Sequence, residues 1–185
     1  MRCTAEVAPV RAAPADDAEQ VTQLVRGEPV RVAGRDGAWT WIVTVYDYSG
    51  WVRAEALEDG EGALPPPEGR TPVELAREYL GAPYLWGGMT EAGIDCSGLV
   101  HMAYRRAGSL VPRDAWQQHD AGERVADPEP GDLVLYAHPG KQADHVAFWL
   151  GGDRILHATG RDGLGVVEED EPEALRSRRA GFVRL

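Results

Sequence analysis

The stretch "GIDCSGLVHMAYRRAG", residues 93–108, puts one of the chain's two cysteines where a helix has to begin. Asp95 and Ser97 flank Cys96, and both are good helix N-cap types. Leu99, Val100, Ala103 and Ala107 recur at helical spacing from Cys96, and Gly108 supplies a stop. The thiol therefore heads the apolar stripe. Two roles fit such a cysteine: a small core hydrophobe, or a nucleophile whose thiolate the helix dipole and free N–H groups stabilise.

Upstream, Thr71-Pro72-Val73-Glu74 reads as a capped helix start, with the helix ending near Gly81. "PYLWGG" (83–88) follows as a turn-rich loop with two large aromatics. Downstream, a short helix is expected around "RDAWQQ". Five apolar runs then read as strands: 132–138, 145–151, 154–159, 165–170 and 181–185, with a short helix in "EPEALRSR" before the last. Helices followed by an antiparallel sheet predict an α+β domain.

The segment before residue 60 is different. "TAEVAPVRAA", "EPVRVAGRDGAWTWIVTVY" and "SGWVRAEAL" are strand-like, with turns at "GRDG" and "DYSG". Val30, Val32, Trp39, Trp41, Val43 and Val45 alternate as half-buried strand positions do. Short strands with glycine turns predict a small β-barrel. Proline and acidic residues around "LPPPEGR" mark an extended, solvated linker. The expected organisation is residues 1–60 as the barrel, 61–70 as the linker and 71–185 as the α+β domain.

The chain's 185 residues carry a formal net charge of −11, which argues against nucleic acid as a partner and weakly against an anionic wall or membrane. No apolar run approaches a membrane span. The first twenty residues lack the apolar core of a secretory signal, so a cytoplasmic location is expected, or a secreted one if a leader has been lost. Cys3 and Cys96 allow at most one bridge.

Among the five histidines, His101 lies off the helix stripe and is expected at the surface. His119 and His138 fall in polar surroundings. His145 and His157 sit in consecutive strands around the tight "GGD" turn, a spacing that brings two side chains to one face. A helix-start thiol, an imidazole and a second group to orient it make up the logic of covalent acyl transfer. One cysteine and two histidines without C-x-x-C or H-E-x-x-H spacing do not suggest zinc; no metal and no cofactor are expected.

Four separated motifs, "YLWGG", "DCSGLV", "DHVAFWLG" and "ILHATG", occur in an order that resembles the NlpC-type papain-like cysteine peptidases of bacterial cell-wall metabolism. The resemblance covers about residues 70–185. The first sixty residues resemble, more loosely, the bacterial SH3-like modules joined to such domains. The combination is similar to γ-D-glutamyl-L-diamino acid endopeptidases, in which the SH3-like module closes one side of the cleft and leaves room for a free N-terminal L-alanine.

On that resemblance Cys96 is the nucleophile, His145 the base and His157 its orienting partner. Tyr84 stands at the family's tyrosine position, an oxyanion donor beside the Cys96 N–H. Trp86 lines the same loop. Asp95, Glu28 and Tyr48 match the residues that hold the substrate's α-ammonium, although Asp95 also reads as a plain cap. Ser97, Asp114 and Arg113 complete the set; Arg113 is either a partner for a substrate carboxylate or a solvated charge. Ala115 stands where relatives often carry serine. The implied substrates are small murein peptides of the form L-Ala-γ-D-Glu-diamino acid. Two alternatives remain: an endopeptidase acting on intact peptidoglycan with the SH3-like module as anchor, and a non-catalytic binding module.

Overall fold

A computed structural model describes residues 1–185. The N-terminal half contains β1 (Arg2–Cys3), β2 (Val7–Arg11), β3 (Gln20–Val25), β4 (Val30–Asp36), β5 (Trp39–Thr44), β6 (Ser49–Arg53) and β7 (Leu57–Glu58). Five of them form an antiparallel sheet in the order β3-β2-β6-β5-β4, while β1 pairs with β7. Val10, Leu24, Ile42 and Val52 are the buried centre of this SH3-like unit.

The expected barrel does not close; β3 and β4 remain the two sheet edges. The connection between them is only residues 26–29, and Pro29 has no N–H to give. The start of β4 is already engaged by β1, through an Arg2–Pro29 bridge and a Val30 N–H bond to the Met1 carbonyl. The alternation in β5 is also offset from expectation. Its inward side chains include Thr40, Ile42 and Thr44, whereas Val43 is half-covered and Val45 exposed. Trp41 finds its cover on the other face, edge-on to Trp51 at 5.3 Å.

Residues 59–71 form no helix or strand. They are tied down rather than free. The Ala63 N–H bonds to the Gly27 carbonyl, the Glu68 N–H to the Arg106 carbonyl, and the Glu68 carboxylate accepts from Arg106 at 2.6 Å.

The second half runs α1 (Pro72–Arg77), β8 (Met89–Thr90), β9 (Gly93–Ile94), α2 (Cys96–Ala107), α3 (Ala115–Ala121), β10 (Glu123–Val125), β11 (Leu133–Ala137), β12 (Ala143–Gly151), β13 (Arg154–Thr159), β14 (Gly165–Asp170), α4 (Glu173–Arg176) and β15 (Arg179–Arg184). Thr71 and Glu74 form the capping box that starts α1. This helix stops at Arg77, short of Gly81, and irregular turns fill the interval. Gly108 ends α2 in the left-handed conformation, φ +102°. The six-stranded antiparallel sheet has the order β10-β15-β11-β12-β13-β14. Leu75, Leu99, Val100 and Ala103 from the helices pack on Leu133, Leu135, Val146, Phe148 and Leu156 of the sheet. A second cluster around Tyr136, Trp149 and Ile155 is covered by Leu175 of α4 and Phe182.

The two halves dock through β3, a strand the sequence reading did not single out. As an edge strand it has side chains to spare for the second half. Gln23 Oε1 accepts the Met89 N–H at 2.9 Å, and Thr22 Oγ1 accepts from Arg113 Nε at 3.1 Å. Gln20 Nε2 donates to the Trp86 carbonyl at 2.8 Å. Gly87, at φ +70°, allows this approach: a Cβ there would meet the Gln20 carbonyl oxygen at 2.7 Å. No helix is long and apolar enough to cross a membrane.

Candidate active site

Asp95 caps α2. Its Oδ1 accepts the Gly98 N–H at 2.6 Å, which leaves the Cys96 N–H outside the cap. Gly98 is obligatory at this spot, since a Cβ would sit 2.4 Å from the Gly88 carbonyl oxygen. The Cys96 thiol is buried, and the backbone N–H groups of Ser97 and Val146 point at its sulfur. Val146 is the residue after His145, so β12 brings the histidine's own backbone segment to the thiol.

Across the sheet, His145 Nε2 lies 2.7 Å from His157 Nδ1, and His157 Nε2 lies 2.9 Å from Glu169 Oε1. Arg161 Nη2 donates to both Glu169 oxygens, at 2.8 and 2.5 Å. His145, His157 and Glu169 thus make a diagonal row over β12, β13 and β14, each twelve positions along the chain from the last. Glu169 and Arg161 were not among the expected residues. The equal spacing through two consecutive hairpins is the signal that could have found Glu169.

Electrostatics keep the resting pair neutral. Burial pushes the Cys96 thiol up to about 12, and the Asp95 charge adds to this. The Val146 N–H, Arg113 and the Ser97 N–H oppose the rise. Burial likewise pushes His145 down to about 3, with His157 and Arg178 adding to the fall. A buried thiol reached by the strand that carries a neutral imidazole calls for proton transfer during attack rather than a standing thiolate.

The sulfur opens onto a cavity of about 360 Å³ whose walls come from both halves of the chain. The SH3-like unit contributes Glu19, Val21 and Tyr48; the second half contributes Tyr84, Trp86, Asp95, Ser97, Asp114, Ala115, Trp116 and residues 142–144. Tyr84 is held by a backbone bridge to Ile94, and its ring lies over Gly160. Burial raises its phenol, and the proximity of Cys96 and Asp95 raises it further, so it stays a hydrogen-bond donor. Trp86 is more than half exposed and donates Nε1–H to Glu19 Oε1 at 2.9 Å. The Tyr48 hydroxyl donates to Asp114 at 3.1 Å.

Three expectations need correction. Arg113 is neither a solvated charge nor free to bind a substrate carboxylate. It is 1% exposed, and its five N–H donors go to Thr22, Ser97, Gly88 and, twice, Asp95. Glu28 does not reach the cleft. It is buried between the halves, paired with Arg105 at 3.1 Å and accepting the Val25 N–H. Glu19, from the polar run before β3, occupies the cleft wall instead. His101 is not at the surface: the SH3-like unit covers it with Tyr46, whose ring is 4.3 Å away, and His101 Nδ1 bonds to the Val111 carbonyl at 2.8 Å. Asp95 lines the cavity, yet both its oxygens are engaged, by Arg113 and by the Gly87 and Gly98 N–H groups.

Of the cavity's four acids, then, Asp95 is neutralised by Arg113 and Asp144 by Arg178. Glu19 and Asp114 make no salt bridge: Glu19 accepts from Trp86, and Asp114 accepts from Tyr48 and Trp116, with the Arg113 charge acting on it only at longer range. No lysine or arginine lines the cavity. Two carboxylates without a salt bridge facing a common space fit a ligand that carries an ammonium group.

Residues 81–177 match the NlpC/P60 family, and residues 10–57 match the bacterial dipeptidyl-peptidase Sh3 domain. A γ-D-glutamyl-L-lysine dipeptidyl-peptidase of Bacillus subtilis is 43% identical over 90 residues, covering 46% of this chain and 30% of that protein. The peptidoglycan endopeptidase RipB of Mycobacterium tuberculosis is 35% identical over 131 residues, covering 60% of this chain and 54% of its own length. The chain thus spans about a third to a half of these curated relatives. A crystal structure of an NlpC/P60 family protein from Bacillus cereus superposes with a TM-score of 0.60 over 99% of this chain and 62% of that one; at 23% identity it speaks for the fold.

Proposed function

The chain belongs to the NlpC/P60 family, and from that premise we propose that it is a cysteine peptidase cutting the γ-D-glutamyl–diamino acid bond of murein peptides with a free N-terminal L-alanine. One observation carries the choice of substrate: the SH3-like unit walls the Cys96 cavity, and Glu19 and Asp114 face it without a salt-bridge partner. A substrate's α-ammonium supplies that partner, and charge-assisted bonds of this kind are worth roughly 1.5–3 kcal/mol each. An N-acylated peptide brings no charge to the same place. The relative from Bacillus subtilis, named as a γ-D-glutamyl-L-lysine dipeptidyl-peptidase, supports the same bond.

In the proposed reaction His145 Nδ1 takes the thiol proton as Cys96 Sγ attacks the γ-glutamyl carbonyl carbon. The oxyanion accepts from the Cys96 N–H and the Tyr84 hydroxyl; each such donor lowers the barrier by about 3 kcal/mol. Collapse breaks the C–N bond, and the proton on His145 goes to the departing amine. Water, deprotonated by the same imidazole, then hydrolyses the thioester.

The test is incubation with L-Ala-γ-D-Glu-L-Lys and with its N-acetyl form, read by mass spectrometry. Release of L-Ala-D-Glu from the free peptide alone supports the proposal. Equal cleavage of both forms would favour an endopeptidase acting on blocked or cross-linked wall.

A further inference from the structure

Proton transfer from Cys96 needs the protons of His145 and His157 on particular ring nitrogens. An imidazole pair joined Nε2 to Nδ1 has two possible arrangements, and only one leaves His145 Nδ1 bare to accept the thiol proton. We propose that Glu169, held by Arg161, is the positioning residue that selects this arrangement for both histidines.

Arg161 Nη2 donates to both Glu169 oxygens. Burial alone would raise the Glu169 carboxyl, but the bonds from Arg161 and His157 outweigh it and hold the group below the ordinary glutamate value. An ionised carboxylate only accepts, so His157 must place its proton on Nε2 to fill the 2.9 Å bond. Its Nδ1 is then a lone pair, which requires a proton on His145 Nε2, 2.7 Å away. That leaves the lone pair of His145 on Nδ1. When Nδ1 accepts the thiol proton, the imidazolium is stabilised through His157 toward a fixed anion, and Glu169 itself takes up no proton.

The groups facing this row are few. His145 has Tyr136 of β11 at 5.6 Å between ring centroids, and Arg178 at longer range. His157 faces His145, Glu169 and, more distantly, Arg161. Arg161 also lies 3.9 Å from the exposed Asp162. None but Glu169 offers the histidine row a carboxylate within hydrogen-bond reach.

The inference rests on Cys96 and His145 acting as proposed, so its first measurement needs no substrate. Protein labelled with ¹⁵N at histidine reports imidazole tautomers directly through long-range ¹H–¹⁵N couplings. At neutral pH both His145 and His157 are expected as Nε2–H. Glu169→Ala should leave His157 as a mixture, lower kcat on the order of tenfold with KM unchanged, and move the acid limb of the rate profile to lower pH, because removing an anion lowers a neighbouring imidazole's pKa. Glu169→Asp, which keeps an acceptor-only group, should restore the Nε2–H form and most of the rate. A wild-type His157 with its proton on Nδ1, or an Ala variant with unchanged tautomers and pH profile, would overturn the inference. Tautomers as expected in a wild type that leaves the murein peptide intact would overturn the substrate proposal and support this one.

Discussion

Arg113 Nη2 lies 2.8 Å from Asp95 Oδ2, both residues are buried, and the same guanidinium reaches Thr22 of the SH3-like sheet. One side chain therefore ties the cap of the nucleophile's helix to the other half of the chain. Removing one member of a buried pair leaves the other charge unpaired, at a cost of about 3–5 kcal/mol. Arg113→Ala should fall in that range by urea unfolding. Arg113→Lys, which keeps the charge and loses the fork, should cost less but still lower the midpoint. A substrate clamp would behave differently, with stability unchanged and KM raised.

Glu19→Gln and Asp114→Asn remove the two cavity carboxylates that make no salt bridge. Each should lower kcat/KM for L-Ala-γ-D-Glu-L-Lys by roughly tenfold, equivalent to about 1.4 kcal/mol. Neither change should alter the low rate on the N-acetyl peptide. Glu28→Gln serves as the contrast: its carboxylate pairs with Arg105, so the variant should lose stability and keep its substrate preference.

The second half was largely legible because its signals are local. The α1 capping box, the Gly108 stop and the hairpin at residues 151–153 each depend on residues adjacent in the chain. What escaped depends on the docking of the two halves. His101 and Glu28 look like ordinary polar surface until Tyr46 and Arg105 cover them. Arg113 looks like a free charge until Asp95, Ser97, Gly88 and Thr22 converge on it from four places. Strand β3, the docking edge, carries mixed polar residues because its side chains bind protein rather than water. The pairing of His145 with His157 was legible through their spacing around the tight turn; the Glu169 contact was not, since an acid on a strand has many ordinary uses.

Stability should fall on mild acidification. Burial holds His101 down to about 3, below the ordinary histidine value near 6.5, and His145 is depressed in the same way. The unfolded chain binds these protons first, so their contribution is complete above about pH 6.5 and declines as pH drops toward 3. Glu28, whose carboxyl burial raises, acts in the opposite sense and offsets part of the loss. Thermal midpoints measured from pH 7 to 5 should decline for the wild type. His101→Gln should start lower and show a flatter dependence.

Gly98→Ala tests the fit between α2 and the "PYLWGG" loop. The added methyl would meet the Gly88 carbonyl at 2.4 Å and Asp95 Oδ1 at 2.9 Å, both held in place. Overpacking of this kind costs about 1–3 kcal/mol. Because the strain falls on the Asp95 cap, kcat should drop together with the unfolding midpoint.

The most direct test of the proposed chemistry is mass spectrometry of L-Ala-γ-D-Glu-L-Lys incubated with wild-type protein and with Cys96→Ala. The expected result is L-Ala-D-Glu and free lysine from the wild type and intact tripeptide from the variant. An intact peptide in both, or the same products in both, would contradict a covalent role for that sulfur on this bond.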